Sequence, residues 1–421
     1  MEQESRRAST QRIERRINEL AQIVDRSFQG WTRSAFTESY ERARLQVGKW
    51  MESAGLYVRR DAGANLIGRL EGSEPNLPPI MVGSHTDTVK EGGRYDGIVG
   101  VLAGIELVEM LRISNTTLRH PLEIIDFTAE EPTEFGLSTI GSKAMAGNLT
   151  PEMLQRRDGS GRTLAAALRE AGGNPDAIEA QYRHRGDVTA YLELHIEQGP
   201  VLEAAGCELG VVNGIVGIDR FVIELIGSPD HAGTTPMDRR RDALCGASEI
   251  IVAMEGLCRS EPGRDLVGTV GRIDLAPNAP NVIPGRATLN AELRSTSDQL
   301  IESTGERLLK EIKGIAAARQ LEFRARRISH TEPVQIEAPI RACIGAACTE
   351  TGTGWMELVS GAGHDANQVA HFAPVGMIFI PSIGGRSHCP EEASSIAHIV
   401  KGTAALLRSI IKIDQQQRGT L

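Results

Sequence analysis

Five side chains of the types that bind divalent metals stand where folded chains tend to place chemistry. His85, Asp96, Glu131, His195 and His388 each follow a short apolar run or lie in a glycine-rich turn. In open α/β sheets, ligands bind beyond the carboxyl ends of the strands. Zn²⁺ and related ions accept imidazole and carboxylate ligands together, and five ligands exceed the need of one tetrahedral site. The sequence therefore predicts a site for two divalent metal ions.

Two further carboxylates adjoin these candidate ligands. Asp87 follows His85 by two residues, so both side chains point the same way from an extended segment, and we interpret Asp87 as a support for His85. Glu130 and Glu131 are adjacent carboxylates that repel each other unless a cation offsets them. We interpret Glu131 as a ligand and Glu130 as the general base. Taken alone, His85 and Asp87 could also be a surface histidine and a capping aspartate, and Glu130 and Glu131 could also be an exposed acidic turn.

Polar residues in other loops allow weaker interpretations. His231, Asn281 and Arg294 lie in loops or at a strand end, and each alone is typical of a protein surface. The turn Gly361–Ala366 is rich in glycine, and its backbone N–H groups could bind an anionic oxygen. It lacks the lysine and the spacing of a P-loop, which argues against nucleotide binding.

Composition restricts the class of protein. The chain has 421 residues, 40% of them hydrophobic and 24% charged, and this length predicts two domains. A net charge of -9 argues against nucleic acid or an anionic membrane as a partner. The first residues lack the apolar segment of a secretory signal, and the six cysteines show no CxxC pairing, so we expect reduced thiols in a cytoplasmic protein.

Apolar periodicity predicts an α/β fold. Apolar residues at helical spacing predict helices at about 10–27, 36–55 and 98–111. Short apolar runs predict strands at about 65–70, 80–83, 122–127, 189–194 and 375–380. Strands that alternate with helices predict a mixed sheet sandwiched by helices.

A different pattern occupies residues 214–329. It predicts strands at about 221–225, 266–275, 287–294 and 321–328, with helices at about 242–257 and 298–319. This β-α-β-β-α-β order is the ferredoxin-like arrangement. We predict a discontinuous metal-binding catalytic domain, residues 1–213 and 330–421, and an inserted ferredoxin-like α+β lid or dimerisation domain, residues 214–329.

Taken together, the motifs resemble those of the M20-type metallopeptidase/amidohydrolase superfamily, above all its hydantoinase/carbamoylase amidases. The resemblance extends from about residue 15 to residue 410. The motifs that carry it are GSHTDTV, GGRYDGIVGVLAGIE, FTAEEPTEFG, ELHIEQGPVLE, HAGTTPM, NVIPG, SGAGHDA and SHCPEE. The amidases include N-carbamoyl-L-amino acid hydrolases, allantoate amidohydrolases, ureidoglycolate amidohydrolases and β-ureidopropionases. Peptidase members usually have a carboxylate where His195 stands, which favours the amidase branch.

The resemblance also implies a ligand set and a cofactor. It assigns His85, Asp96 and His195 to one ion and Asp96, Glu131 and His388 to the other, with Asp96 bridging. The division of His195 and His388 between the ions stays open in this assignment. Family members use Zn²⁺ or Mn²⁺, and also Co²⁺ or Ni²⁺, and the ligands alone do not select among them.

Roles for the remaining residues follow from the same resemblance. Glu130 matches the general base, and His231 matches a residue that stabilises the oxyanion, often across a dimer. Asn281 and Arg294 match groups that hold the substrate carboxylate. Gln198, Gly363 and His364 match further substrate contacts. The resemblance also implies a homodimer formed through the inserted domain.

The sequence therefore predicts a metal-dependent amidohydrolase. Its expected substrate is a small N-carbamoyl amino acid or an allantoate-type ureido acid, whose carbamoyl C–N bond is cleaved by hydroxide with release of ammonia and CO₂. An exopeptidase or N-acyl amino acid deacylase on the same scaffold is the alternative. A non-catalytic binding protein is a third hypothesis, which the presence of every expected ligand and of the base disfavours.

Overall fold

The computed structural model describes residues 2–261 and 265–415, and the chain divides into two compact units. The first unit contains the residues up to Asn213, the segment Ile336–Ser360 and the residues from His364 onward. The second unit contains Gly214–Gln335 and Gly361–Gly363. The predicted roles of catalytic domain and lid domain stay predictions.

The elements follow one another in three stretches. The first stretch forms α1 (Glu2–Leu20), α2 (Glu38–Ser53), β1 (Tyr57–Arg60), β2 (Leu66–Leu70), β3 (Ile80–His85), α3 (Ile98–Ile113), β4 (Leu122–Phe127), α4 (Ile140–Ala146), α5 (Pro151–Leu154), α6 (Leu164–Glu170), β5 (Ala190–Ile196), α7 (Val201–Ala205) and β6 (Leu209–Ile215). The second forms β7 (Gly217–Ile226), α8 (Ala243–Arg259), β8 (Val267–Ala276), β9 (Arg286–Ser295), α9 (Asp298–Ala318), β10 (Glu322–Thr331) and β11 (Val334–Gln335). The last forms α10 (Ala338–Glu350), β12 (Trp355–Ser360), α11 (Asp365–Val369), β13 (Val375–Ile380) and α12 (Ile396–Gln415).

The sheet of the first unit is mixed. Its strands lie in the order β1-β2-β4-β3-β5-β13-β6, and β12 also pairs with β6. The four central strands β4, β3, β5 and β13 run parallel to their neighbours in this series, whereas β1, β2 and β6 pair antiparallel. Every residue of the four central strands is buried. Because successive side chains of a strand point to opposite faces, both faces of this sheet are covered, which confirms the predicted mixed α/β fold.

Of two helices in the first unit, α3 agrees with the sequence-based prediction and α1 differs from it. Helix α3 is apolar on nearly all sides and is buried along most of its length, as its sequence predicts. Helix α1 spans Glu2–Leu20, so the predicted span of 10–27 was wrong at both ends. At its carboxyl end the buried guanidinium of Arg33 donates hydrogen bonds to the carbonyl oxygens of Leu20 and Ile23, both at 3.1 Å. These contacts satisfy carbonyls that a longer helix would have used itself.

The second unit contains an antiparallel sheet in the order β10-β7-β9-β8. The chain order of its elements is β-α-β-β-α-β, with α8 and α9 as the two helices. Alternate residues of β7 and β9 are buried, and together with apolar residues of both helices they form one core. Alternation of this kind marks a sheet with one packed face. Within the described ranges, no helix combines the length and the apolar character needed to cross a membrane.

Candidate metal centre

Four of the predicted ligands lie at one edge of the first unit's sheet. His85 is the last residue of β3, and His195 is the second-last residue of β5. Glu131 lies in the loop after β4, and His388 lies in the loop after β13. Because these four strands are parallel, their carboxyl ends meet at the same edge, and the side chains that follow them converge there.

Asp96 joins these residues into two groups. The donor atoms of His85, Asp96 and His195, hereafter the first ligand group, lie within 4.8 Å of one another. Those of Asp96, Glu131 and His388, the second ligand group, meet the same limit. Oδ1 of Asp96 lies 3.2 Å from Nε2 of His195, and Oδ2 lies 3.0 Å from Nε2 of His388. The two oxygens of Asp96 therefore face different groups, which is the geometry of a bridging carboxylate.

Two histidines are oriented by the backbone. Nδ1 of His85 donates a hydrogen bond to the carbonyl oxygen of Asp87 at 3.0 Å, and Nδ1 of His195 donates to that of Ile196 at 2.9 Å. This leaves each Nε2 directed toward the carboxylates, as in histidines that bind metal. Gly97 lies against His85, and a Cβ at that position would stand 2.4 Å from the imidazole ring. A glycine is therefore required for this close approach.

Asp87 connects the ends of β3 and β4. Its Oδ1 accepts a hydrogen bond from the backbone N–H of Glu130 at 3.2 Å, and its Oδ2 accepts one from that of Glu131 at 3.0 Å. Burial raises the pKa of the Asp87 carboxyl to about 6, while His85 and the two backbone donors oppose that rise. Asp87 thus supports His85 through its backbone carbonyl and the Glu130–Glu131 loop through its carboxylate.

Glu130 lies beside the first ligand group. Its Oε2 is 3.7 Å from Nε2 of His85, and its side chain is 12% exposed. Burial raises the pKa of the Glu130 carboxyl well above its ordinary value, although the charge of His85 opposes this. Glu130 is in neither ligand group, so its carboxyl lies beside the first group without being one of its donors.

Charge in the second ligand group favours a cation. Burial opposes ionisation of Asp96, but the hydrogen bond from His388 lowers the pKa of Asp96 below its ordinary value. Hydrogen bonds to Asp96 and Glu131 raise the pKa of His388 to about 11. The protein's own imidazolium thus balances these carboxylates, and a divalent ion bound by the same donors would take over that role.

The donor set itself fits divalent metal ions. Imidazole nitrogens and carboxylate oxygens suit Zn²⁺, Mn²⁺, Co²⁺ and Ni²⁺. Gln198 contacts the carboxylate that both ligand groups share. Its Nε2 donates a hydrogen bond to Oδ2 of Asp96 at 3.0 Å. Its buried Oε1 has no hydrogen-bond partner among the described residues. An unpartnered buried oxygen beside the carboxylates is consistent with a site built for a cation or a substrate group.

His364 lies on the other side of His195. Their ring centroids are 4.6 Å apart in an edge-to-face contact, and Oγ of Ser360 lies 2.8 Å from Nε2 of His364. Glu193, His195 and His364 form a third compact group. Glu193 accepts hydrogen bonds from Oγ of Ser84 at 2.6 Å and from the hydroxyl of Tyr191 at 2.9 Å. These bonds satisfy the Glu193 carboxylate without a metal.

The other predicted site residues belong to the second unit. Nδ1 of His231 accepts hydrogen bonds from the backbone of Gly233 and Thr234, and Ala232 N–H donates to the carbonyl oxygen of Asn281 at 3.0 Å. The loops of His231 and Asn281 are therefore neighbours. The guanidinium of Arg294 is paired with Glu292 at 2.8 Å and donates to the carbonyl oxygen of Gly361 at 3.0 Å. Gly363 also lies in this unit. The roles of these residues toward a substrate stay predictions.

Sequence reasoning missed Glu392. This buried carboxylate accepts hydrogen bonds from the backbone N–H groups of Asp96 and His388, which lie in two different loops. The available signal was its place four residues after His388 in the SHCPEE motif. Cys389 lies inside the same motif and is a partly buried free thiol, and the other five cysteines are free as well.

Known proteins resemble this chain over almost its whole length. Residues 81–412 match the model of "Peptidase family M20/M25/M40". The chain is 38% identical over 406 residues to the N-carbamoyl-L-amino-acid amidohydrolase of Pseudomonas sp. (strain NS671), which covers 96% of this chain and 98% of that protein. It is 36% identical to the allantoate amidohydrolase of Bacillus subtilis (strain 168), with 94% and 96% covered.

A solved structure agrees with this relationship. The hydantoinase/carbamoylase family amidase of Burkholderia vietnamiensis superimposes with a TM-score of 0.87 at 33% identity, with 97% of this chain and 98% of that chain covered. The matching family model, the amidohydrolase relatives and this shared fold agree with the resemblance seen in the motifs. The chain therefore belongs to the M20/M25/M40 peptidase family, within which it is a hydrolase of C–N bonds related to the amidohydrolases.

Proposed function

We propose that the protein hydrolyses the carbamoyl C–N bond of a small ureido acid, an N-carbamoyl amino acid or an allantoate-type compound, with two divalent metal ions. The observation that carries this proposal is the place of His195 in the first ligand group, 3.2 Å from Asp96. In the superfamily that the motifs resemble, peptidases usually have a carboxylate at the position of His195. The amidohydrolase names of the relatives support the same substrate class.

The two ligand groups would hold the ions. His85, Asp96 and His195 would bind one ion, and Asp96, Glu131 and His388 would bind the other. When bound, such ions polarise a carbonyl oxygen and make water a stronger acid. Zn²⁺ and Mn²⁺ are the proposed ions, and Co²⁺ and Ni²⁺ suit the same donors.

Glu130 supplies the proton transfers in this proposal. It takes a proton from the attacking water, and the resulting hydroxide adds to the ureido carbonyl carbon. When the C–N bond breaks, Glu130 returns that proton to the leaving nitrogen. An N-carbamoyl amino acid then yields the free amino acid and carbamate, which decomposes to CO₂ and ammonia.

Residues of the second unit would bind the substrate. Arg294 and Asn281 would hold its carboxylate, since the guanidinium fork matches two carboxylate oxygens. His231 would donate a hydrogen bond to the oxyanion that forms on the carbonyl. Gln198, Gly363 and His364 would add further contacts.

We also propose a homodimer formed through the second unit. Its strand β8 is an edge strand of the sheet, and its apolar residues Val267 and Ile273 are 56% and 39% exposed. An exposed edge with apolar side chains can pair with a second copy. Light scattering should give twice the chain mass, and a monomer at working concentration would refute this.

A substrate panel tests the proposed activity. Metal-loaded protein is given N-carbamoyl-L-amino acids, allantoate, N-acetyl amino acids and dipeptides under the same conditions. We expect kcat/KM for at least one ureido compound to exceed that for the acyl and peptide compounds by about 100-fold. Turnover of dipeptides or N-acetyl amino acids alone would establish the exopeptidase or deacylase activity instead.

A further inference from the structure

We propose that Glu392 is a positioning residue that joins the Asp96 loop to the His388 loop and thereby holds the second ligand group together. This inference rests on the metal site of the proposed function. Glu392 itself is not among the donors of either ligand group within the described residues. It acts through the backbone of the ligands.

Four hydrogen bonds define the position of Glu392. Its Oε1 accepts from the backbone N–H groups of Tyr95 at 2.9 Å and Asp96 at 3.1 Å. Its Oε2 accepts from Oγ of Ser387 at 2.8 Å and from the backbone N–H of His388 at 3.3 Å. One oxygen thus serves the Asp96 loop and the other serves the His388 loop. Only a carboxylate offers acceptors on both oxygens at once.

The surroundings leave Glu392 little freedom. Its exposed fraction is 3%. A Cβ on Gly93 would stand 2.0 Å from its Oε1, so the glycine at that position makes room for the carboxylate. A buried carboxylate is stable only when its oxygens are paired, and these four donors provide the pairing.

His388 needs such an anchor more than the other ligands do. Its backbone has a φ of +55°, a left-handed conformation that is unfavourable for a residue with a Cβ. Its side chain is 48% exposed, so packing alone does not hold it. The hydrogen bond from its N–H to Glu392 fixes this backbone, and the ring is then directed toward Asp96 and Glu131.

The first ligand group has separate supports. His85 and His195 are held by hydrogen bonds from Nδ1 to the carbonyl oxygens of Asp87 and Ile196. Only Asp96, which both groups share, contacts Glu392 in the first group. Loss of the Glu392 carboxylate should therefore weaken the second ligand group more than the first.

Glu392→Gln tests this with little change in volume. The amide turns one acceptor oxygen into a donor, which then faces two N–H or O–H donors. Glu391→Gln is the matched control, because Glu391 is the next residue, lies on the surface and pairs with Arg386 at 3.0 Å. Metal-free proteins are titrated with Zn²⁺ by calorimetry, and no substrate is present. The ion of the second group is identified as the one whose binding is lost in His388→Ala.

We expect Glu392→Gln to lower the affinity of the second ligand group for its ion by about 10–100-fold. The affinity of the first group for its ion should fall much less. Glu391→Gln should match the unaltered protein. Ser387→Ala removes one of the four hydrogen bonds without altering the buried carboxylate, and we expect a fall of about fivefold for the same ion. If Glu392→Gln does not fold, the Ser387→Ala variant still tests the inference.

Unchanged affinities in both variants would overturn the inference, and so would an equal loss for both ions, which would mark a general structural role. A protein that binds only one ion before any substitution would also overturn it. A protein that shows the selective loss but releases no ammonia from ureido acids would refute the proposed function and leave the role of Glu392 intact.

Discussion

Oε2 of Glu130 lies 3.7 Å from Nε2 of His85, so the proposed base stands beside a ligand of the first group. Glu130 is in none of the candidate metal groups among the described residues, whereas its neighbour Glu131 is in the second group. Asp87 accepts hydrogen bonds from the backbone of both glutamates. One short loop thus presents the proposed ligand Glu131 and, beside it, the proposed base Glu130.

Glu130→Gln should abolish most of the activity without removing metal. The amide cannot take a proton from water, and loss of a general base typically lowers the rate by about 10²–10⁴-fold. Metal content should stay the same, because Glu130 is not in either ligand group. Steady-state kinetics and elemental analysis on the same sample check both points. Glu134→Gln is the control, since Glu134 is 66% exposed, and activity of Glu130→Gln equal to that of the control would exclude Glu130 as the base.

Asp96→Asn and His388→Ala should differ in the number of ions lost. Asp96 faces both groups through its two oxygens, whereas His388 belongs to the second group alone. We expect Asp96→Asn to weaken the binding of both ions and His388→Ala to weaken the binding of one. Metal content measured after dialysis against a weak chelator checks this. Equal metal loss in the two variants would show that Asp96 does not bridge.

Metal affinity should rise with pH. Hydrogen bonds to Asp96 and Glu131 raise the pKa of His388 to about 11, so this histidine is protonated in the metal-free protein at neutral pH. It must lose that proton to bind an ion, and proton release means that a lower proton concentration favours binding. Below the raised pKa, the binding constant should therefore grow by up to about tenfold per pH unit for this proton. Calorimetry in buffers of different ionisation enthalpy measures the release, and zero protons released would contradict it.

Arg44→Ala should destabilise the fold strongly. Arg44 and Asp126 form an ion pair at 3.2 Å in which both side chains are fully buried. Removal of one partner of a buried pair leaves an uncompensated charge and costs about 3–5 kcal/mol. Chemical denaturation measures the free energy of unfolding. Arg42→Ala is the control, because Arg42 lies on the exposed side of the same helix, and a similar small change in both variants would contradict the expectation.

The convergence of the ligands was predictable because it depends on strand polarity. The sequence predicts a strand before each of four ligands, His85, Glu131, His195 and His388. The four strands are parallel in the mixed sheet. Apolar runs are long enough in these strands to show in the sequence. The rule that parallel strands end at one edge then brings their following residues together.

Other features depend on contacts between distant segments, which local patterns do not show. Glu392 meets the Asp96 loop only in the folded chain, and Arg33 sets the end of α1 through carbonyl oxygens that no periodicity reveals. The helices α4, α5 and α6 have four to seven residues, which is too short for a helical pattern to be recognised. These elements were not predicted.

Ammonia release before and after metal removal tests the central claim most directly. The protein is assayed with an N-carbamoyl-L-amino acid and with allantoate as purified, after exhaustive chelation and after Zn²⁺ or Mn²⁺ is returned. We predict ammonia from at least one of the two compounds, its loss on chelation and its recovery with the metal. Ammonia release that continues unchanged after chelation, or metal-loaded protein that releases none from either compound, would contradict the account.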